Sequence, residues 1–251
     1  MCAAPGGKSI DLLNINKEQG LLISNEYEFK RAEALVSNLE RIGGASVIIT
    51  NKDTRTLSEE LSGSADYVLL DAPCSGEGMA RKNKDIISHY SLNNVLKCAA
   101  LQKELLDDAY RLLKKGGYLV YSTCTYAKEE NEENVSAFLS KHPDMELLKI
   151  DLGEDLYRLN YPKISDKVIR LSPLNNTEGQ FIALFKKHGE SVPAKVKYLK
   201  SVSHKLVESF IKEQLDLDDY YLYELKDRYY LSLRPLYDLK DKVIRYGIYA
   251  G

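Results

Sequence analysis

The chain has 251 residues, 44% of them hydrophobic and 29% charged, with a formal net charge of -2. That size holds one large α/β domain and a small appendage, at the composition of an ordinary soluble protein. The near-neutral balance excludes a global basic field of the kind that binds nucleic acid nonspecifically, while leaving room for a local basic groove.

Met1-Cys2-Ala3-Ala4-Pro5-Gly6-Gly7-Lys8-Ser9 opens the chain as a glycine turn ahead of an apolar helix. Adjacent glycines allow positive φ and bring bare N–H groups up to an anionic or zwitterionic ligand. Gly20 to Glu26 reads as a buried strand. Tyr27 to Ile42 carries Ala32, Leu35, Val36 and Leu39 at helical spacing and stops at Gly43-Gly44. Ala45 to Thr50 is a second strand, followed by Asp53, and Asp66 to Asp71 a third. Lys97 to Leu113 is an amphipathic helix, with Lys114-Lys115-Gly116-Gly117 expected to close it. Tyr118 to Thr123 is a fourth strand, Glu129 to Leu139 a helix and Glu146 to Ile150 a strand. Val168 to Leu171 and Gln180 to Phe185 read as a closing pair. Alternation of this kind predicts an α/β fold with a mostly parallel sheet, with ligands beyond the carboxyl ends of its strands. Glu26, Asp53, Asp71 and Cys124 all fall at such ends.

After about Gly189 the character changes. Lys186, Lys187, Lys195, Lys197, Lys200 and Lys205 make a basic connector, and nine of the 18 tyrosines lie between Tyr198 and Tyr249. Residues 1–189 are expected to form a catalytic domain and 190–251 a small α+β domain.

Gly7-Lys8-Ser9 supplies the last three positions of a phosphate loop, but the first glycine of that motif is replaced by Cys2, whose side chain would crowd the turn. The alternative is an adenosyl ligand. Such sites need an acid about 20 residues past the glycines to bind ribose hydroxyls, and Glu26 lies 19 positions after Gly7. Asp53 is placed to accept from an adenine amino group, and Asp71 to face the sulfonium or the substrate. The ligand expected is S-adenosylmethionine.

The four cysteines, Cys2, Cys74, Cys98 and Cys124, show no C-x-x-C spacing and lie far from the four histidines. Neither a metal site nor a disulfide framework is expected. Cys74 (in Asp71-Ala72-Pro73-Cys74-Ser75-Gly76) and Cys124 (in Ser122-Thr123-Cys124-Thr125) follow strands in polar company, whereas Cys98 reads as structural. A thiolate adding to carbon 6 of cytosine makes carbon 5 enamine-like and able to attack a methyl sulfonium. Asp71 is the candidate to assist at ring N3. Arg81, Lys82 and Lys84 could meet phosphate or simply be solvated. Arg31 reads either as the partner of a helix-face acid or as support for the ligand pocket, the second being preferred. No apolar run reaches the roughly 20 residues of a membrane span, and no signal-peptide pattern precedes the first motif, so a cytoplasmic monomer is expected.

The segments CAAPGGK, DAPCSG and YSTCT followed by EENE resemble the Nol/Nop/Sun (Fmu-type) RNA cytosine-5 methyltransferases, over about residues 1 to 187. Thr177-Glu178-Gly179-Gln180-Phe181 resembles that family's late GEGxF segment, with Thr in place of the first Gly. The resemblance implies a Rossmann-like methyltransferase sheet and S-adenosylmethionine held by Cys2, Ala3, Ala4, Pro5, Gly6, Gly7, Lys8, Glu26, Asp53 and Asp71. It further implies Cys124 as nucleophile, Cys74 as the thiol assisting breakdown of the adduct, and an RNA partner, in the bacterial branch ribosomal RNA or a ribosomal subunit. In that family the glycine loop follows a β-strand, so the chain is expected to be a fragment without its first strand. That strand would lie beside both the Glu26 and the Asp71 strands. Two other readings stand beside this one: a noncatalytic RNA-binding or assembly protein retaining the cofactor pocket, and a transfer-RNA cytosine-5 methyltransferase.

Overall fold

Short β-branched runs and amphipathic stretches alternate along the chain, and they fold as strands and helices in that order. The computed structural model describes residues 1–82, 86, 88, 90–151, 164, 166–175, 177–215 and 217–251. In chain order its elements are α1 (Gly7–Asn16), β1 (Leu22–Asn25), α2 (Phe29–Ile42), β2 (Val47–Thr50), α3 (Thr54–Glu60) and β3 (Ala65–Asp71). There follow α4 (Leu92–Leu112), β4 (Leu113–Thr123), α5 (Glu132–Lys141), β5 (Met145–Leu148), β6 (Ile169–Leu171) and β7 (Gln180–Lys187). The last are α6 (Lys205–Leu215), β8 (Tyr221–Glu224), β9 (Tyr229–Ser232), β10 (Val243–Tyr246) and β11 (Ile248–Tyr249).

Contacts divide the chain into two compact units, Met1 with Leu57–Ala194, and Cys2–Thr56 with Lys195–Gly251. This is not the division at 189/190 expected from composition. The physical reason is β10, which leaves the C-terminal segment to pair antiparallel with β2. Among the described residues β1 and β3 are each an end strand of their own sheet.

The Leu57–Ala194 unit is built on the order β3-β4-β7-β5, with β6 also on β7. β3 and β4 run parallel, and β7 returns antiparallel to β4, β5 and β6. Val95, Ala99, Leu105, Leu106, Ala109 and Leu112 make one buried face of α4, at the three-and-four spacing that points side chains to one side. Each fully buried leucine of that stripe contributes about 1.5–3 kcal/mol. The helix does not close on the expected Lys-Lys-Gly-Gly cap. Leu113 is already extended, and the strand passes through that segment with a break in register, Gly116 taking a φ of 81°. Lys114 pairs with Asp66 on β3, and a Cβ on Gly117 would lie 2.8 Å from the Asp66 carbonyl oxygen, so the segment docks along its neighbour.

In the other unit β1 and β2 are parallel, with β10 on the far side of β2. Leu13, Leu35, Leu39, Val47, Ile49 and Ala4 form its first core cluster. A second gathers Ala45, Val207, Ile211, Leu222 and Leu231 beneath α6 and the β8-β9-β11 sheet. Tyr223, Tyr230 and Tyr246 are buried, with ring centroids 6.0 and 6.3 Å apart. These C-terminal tyrosines are core residues.

α4 leaves its last carbonyls without helical partners, and Lys187 at the end of β7 supplies donors. Its Nζ bonds the Tyr110 and Leu113 carbonyl oxygens at 2.8 Å each and lies 3.8 Å from the Tyr110 ring centroid. Burial lowers the Lys187 pKa to about 8, against 10.5 for a free lysine. The unfolded chain therefore binds more protons between those values, and stability from this group rises with pH across that window. Chemical denaturation of Lys187→Met from pH 7 to 10.5 should lack this rise. Parallel profiles for wild type and variant would show that the amine does not titrate there.

Candidate active site

Gly6 is the N-cap of α1 at φ 111°, in the left-handed region, and a Cβ there would approach Leu35 Cδ1 to 3.0 Å. A Cβ on Gly7 would meet nothing within 4 Å. No side chain caps α1, so its first-turn N–H groups and the positive end of its dipole are offered to a ligand. Ala3 N donates to Asn25 O at 2.9 Å, which fixes the loop against the end of β1. Glu26, 3% exposed, accepts from Ala4 N and from Glu28 N, each at 3.2 Å. Arg31 donates to Ala4 O at 3.0 Å and lies 3.7 Å from the Glu26 carboxylate. Asn38 Nδ2 holds Pro5 O at 2.8 Å. Cys2 takes a φ of 55°, and Lys8 is exposed. Asp53 is employed as the N-cap of α3, its Oδ1 accepting from Arg55 N and Thr56 N at 3.0 and 3.4 Å. A buried strand-end carboxylate beside an uncapped, glycine-opened helix start suits a ligand bearing hydroxyls and a zwitterionic end. The residues fit S-adenosylmethionine.

In the Leu57–Ala194 unit, Cys74 and Cys124 follow the adjacent parallel strands β3 and β4, and their sulfurs lie 3.1 Å apart. Cys124 N also donates to Cys74 Sγ at 3.3 Å. The side-chain hydrogen bond with Cys124, and then burial, push the Cys74 thiol well above its ordinary range. Asp71, at the end of β3 and opposite Ser122 in register, accepts from Ser122 Oγ at 2.8 Å. The structure therefore brings Cys74, Cys124 and Asp71 into one unit, and Cys2 to Lys8 with Glu26 and Asp53 into the other.

Beneath the thiols lies a polar layer that residue-by-residue reading missed. Glu130, Asn131, Glu132 and Asn134 are all buried. Glu130 accepts from Ser75 N at 3.1 Å and from Gln102 Nε2 at 2.7 Å, and Gln102 Nε2 also donates to Pro73 O at 2.9 Å. Asn131 accepts from Thr123 Oγ1 at 2.6 Å and donates to Thr125 O at 3.0 Å. Arg170 Nε donates to Glu132 Oε1 at 2.7 Å, and Arg170 Nη1 to Tyr126 O at 3.1 Å. Glu77 accepts from Thr125 Oγ1 and Tyr126 N, both at 3.0 Å. Gly78 N donates to Cys124 O at 2.9 Å, and Gly179 N to Gly78 O at 3.0 Å. The EENE segment and Gly179 stood in recognised motifs; nothing in the sequence marked Gln102 or Arg170.

Lys82 lies 3.9 Å from Glu178, Arg81 is exposed, and Lys84 falls outside the described residues. Cys98 sits half-buried in α4, its thiol pKa raised by burial and then by Glu130. Among the described residues no three His, Cys, Asp or Glu side chains cluster as a metal site, and no helix is long and apolar enough to cross a membrane.

This is the Rossmann-like fold of S-adenosylmethionine-dependent methyltransferases. NSun6 from Pyrococcus horikoshii with SFG is similar at a TM-score of 0.64 and 32% identity, over 75% of this chain and 47% of that one. A methyltransferase homolog protein from the same organism is similar at 0.63 and 33% identity, over 74% of this chain and 59% of its own. The description 16S rRNA methyltransferase RsmB/F matches residues 1–186, and the chain belongs to that family. The ribosomal RNA small subunit methyltransferase F of Aeromonas salmonicida is 37% identical over 193 residues, 76% of this chain and 40% of the relative. That of Vibrio vulnificus is 45% identical over 131 residues, 52% and 28% respectively. The chain therefore spans between about a quarter and two fifths of these relatives' length.

A Cβ on Gly78 would stand 2.6 Å from Gly179 Cα and 2.8 Å from the Cys124 carbonyl oxygen. Gly78→Ala should therefore destabilise the chain by about 1–3 kcal/mol, as overpacking does. Gly7→Ala, at an open helical position, should leave stability unchanged or raise it. Equal melting shifts for the two variants would contradict the contact.

Proposed function

We propose that this protein transfers a methyl group to carbon 5 of cytosine in RNA, in ribosomal RNA of the small subunit, through a covalent cysteine–cytosine adduct. The observation that carries the reading is the pair of sulfurs 3.1 Å apart after neighbouring parallel strands, with Asp71 at the end of one of them. S-adenosylmethionine, when bound, supplies an electrophilic methyl group. Cys2 to Lys8, Glu26 and Asp53 would hold it.

Cys124 is the nucleophile, and the Cys74 thiol, 3.1 Å from its sulfur, is placed to donate to the Cys124 thiolate and favour its charge. The Cys124 thiolate would add to carbon 6 of the ring while Asp71, as the acid, donates a hydrogen bond to N3, and the electron pair released to carbon 5 would take the methyl group as its bond to the donor sulfur breaks and a neutral thioether departs. A solvent base then takes the carbon 5 proton, the electron pair left behind re-forms the double bond and the Cys124 thiolate is expelled, with Cys74 assisting at this stage. Residues 1–189 are the catalytic part in this reading. Residues 190–251, with the exposed connector lysines Lys195, Lys197, Lys200 and Lys205, contribute RNA contacts, each phosphate contact steepening the salt dependence of binding. The likeness to the small-subunit methyltransferases favours ribosomal over transfer RNA, and a cytoplasmic place follows from that substrate.

Methyl transfer from tritiated S-adenosylmethionine to unmodified small-subunit ribosomal RNA is the test. Cys124→Ala should abolish transfer, and Cys74→Ala should accumulate protein cross-linked to RNA on a denaturing gel. Normal turnover by Cys124→Ala would overturn the mechanism. Wild-type cofactor binding without transfer would instead give the noncatalytic RNA-binding reading.

A further inference from the structure

The two consecutive residues Glu130 and Asn131 each straddle a different cysteine. On one side, the carboxylate of Glu130 holds Ser75 N, just after Cys74. Gln102, bound to that same carboxylate, holds Pro73 O, just before Cys74. On the other side, the Asn131 amide holds the Thr123 hydroxyl and the Thr125 carbonyl, the residues flanking Cys124. Both side chains are 0% exposed, so no water competes for these bonds. Their backbone is pinned as well, with Tyr121 Oη donating to Glu130 O at 2.6 Å and Asn134 Nδ2 reaching the same oxygen at 3.3 Å. Neither side chain touches the sulfurs in any of these bonds, so each acts through the loop it holds.

We propose that Glu130 and Asn131 are a pair of positioning residues with divided duties. Glu130 sets Cys74 for release of the adduct, and Asn131 sets Cys124 for its formation. The division rests on the proposed roles of the two thiols. Because both clamps spring from one dipeptide, the spacing of the sulfurs is fixed by a single short piece of backbone rather than by two independently mobile loops. Burial raises the Glu130 carboxyl above its usual range, only partly offset by its bonds from Ser75 and Gln102.

The division predicts opposite phenotypes from adjacent residues. Glu130→Ala removes the one oxygen that accepts from both Ser75 N and Gln102 Nε2 and so releases the hold on Cys74. It should lower turnover by about 100-fold, the cost of a misplacement near 1 Å, while cross-linked protein–RNA accumulates as in Cys74→Ala. Asn131→Asp removes the donor to Thr125 O. It should lower turnover to a similar extent with cross-linked species below the wild-type level. Rates of iodoacetamide labelling at each cysteine, read by mass spectrometry without RNA, should change at Cys74 alone in the first variant and at Cys124 alone in the second. Should either variant lose a cooperative melt, Gln102→Ala replaces the first and Thr123→Val the second, with the same readouts expected. Equal changes at both cysteines, wild-type labelling, or the same adduct phenotype in both variants would overturn the proposal. If the wild type itself forms no adduct and transfers no methyl group, the functional reading fails. The labelling pattern alone then decides whether the two clamps exist.

Discussion

Glu130, Asn131, Glu132 and Asn134 are shut away from water under the two cysteine loops, and a buried polar group must find its partner inside the protein. That requirement shapes the thiol site more than any apolar contact does. Each loop backbone supplies the missing partners: Ser75 N for Glu130, Thr125 O for Asn131, Tyr126 O for the Arg170 that neutralises Glu132. Removing one member of the Arg170–Glu132 pair would strand a buried charge at a cost of about 3–5 kcal/mol. Loops of polar, small residues, ordinarily the most mobile part of an α/β fold, are held here by the layer beneath them.

The glycine loop obeys the same rule on a smaller scale. One carboxylate, Glu26, takes the Ala4 N–H, and Arg31 closes the circuit through Ala4 O. The acid expected to meet ribose hydroxyls thus also positions the loop that would hold the rest of the ligand. Asp53 is similarly shared, since its Oδ1 caps α3. Ligand-facing and structural duties coincide in these side chains because a strand end offers few positions, and each must stiffen the site as well as face it.

Much of this was legible in the sequence, since β-strands and amphipathic helices announce themselves by period. The strands ending at Glu26 and Asp71, the cysteine pair and the support from Arg31 could all be placed from local pattern and from motifs. The long-range relations could not. Gln102 and Arg170 look like any polar residue on a helix or strand, and only tertiary packing places them under the loops. Lys114 to Gly117 carried every sign of a helix cap, yet the helix ends at Leu112 and the segment forms an irregularity in β4 beside Asp66 of the adjoining strand, with Gly116 at φ 81°. The division of the chain was hidden for the same reason: composition marks residues 190–251 as different, but nothing local says that Val243–Tyr246 completes a sheet begun at Leu22.

That late-joining strand has a consequence for how the chain reaches its native state. β10 bonds β2 through Thr50 and Val243, and Lys52, fully buried, finds its counter-ion in Asp241 at 2.7 Å. During synthesis the sheet that carries the glycine loop therefore waits, one flank unpaired and Asp241 not yet made, until nearly two hundred further residues have emerged. Contacts so distant in sequence are slow to form and leave sticky edges open meanwhile. The thiol-bearing unit, whose partners lie within residues 57 to 194, has no such wait. Ribosome-bound nascent chains would thus acquire a thiol site before a finished glycine-loop sheet, and the methyl-donor half would be the one most in need of chaperone cover.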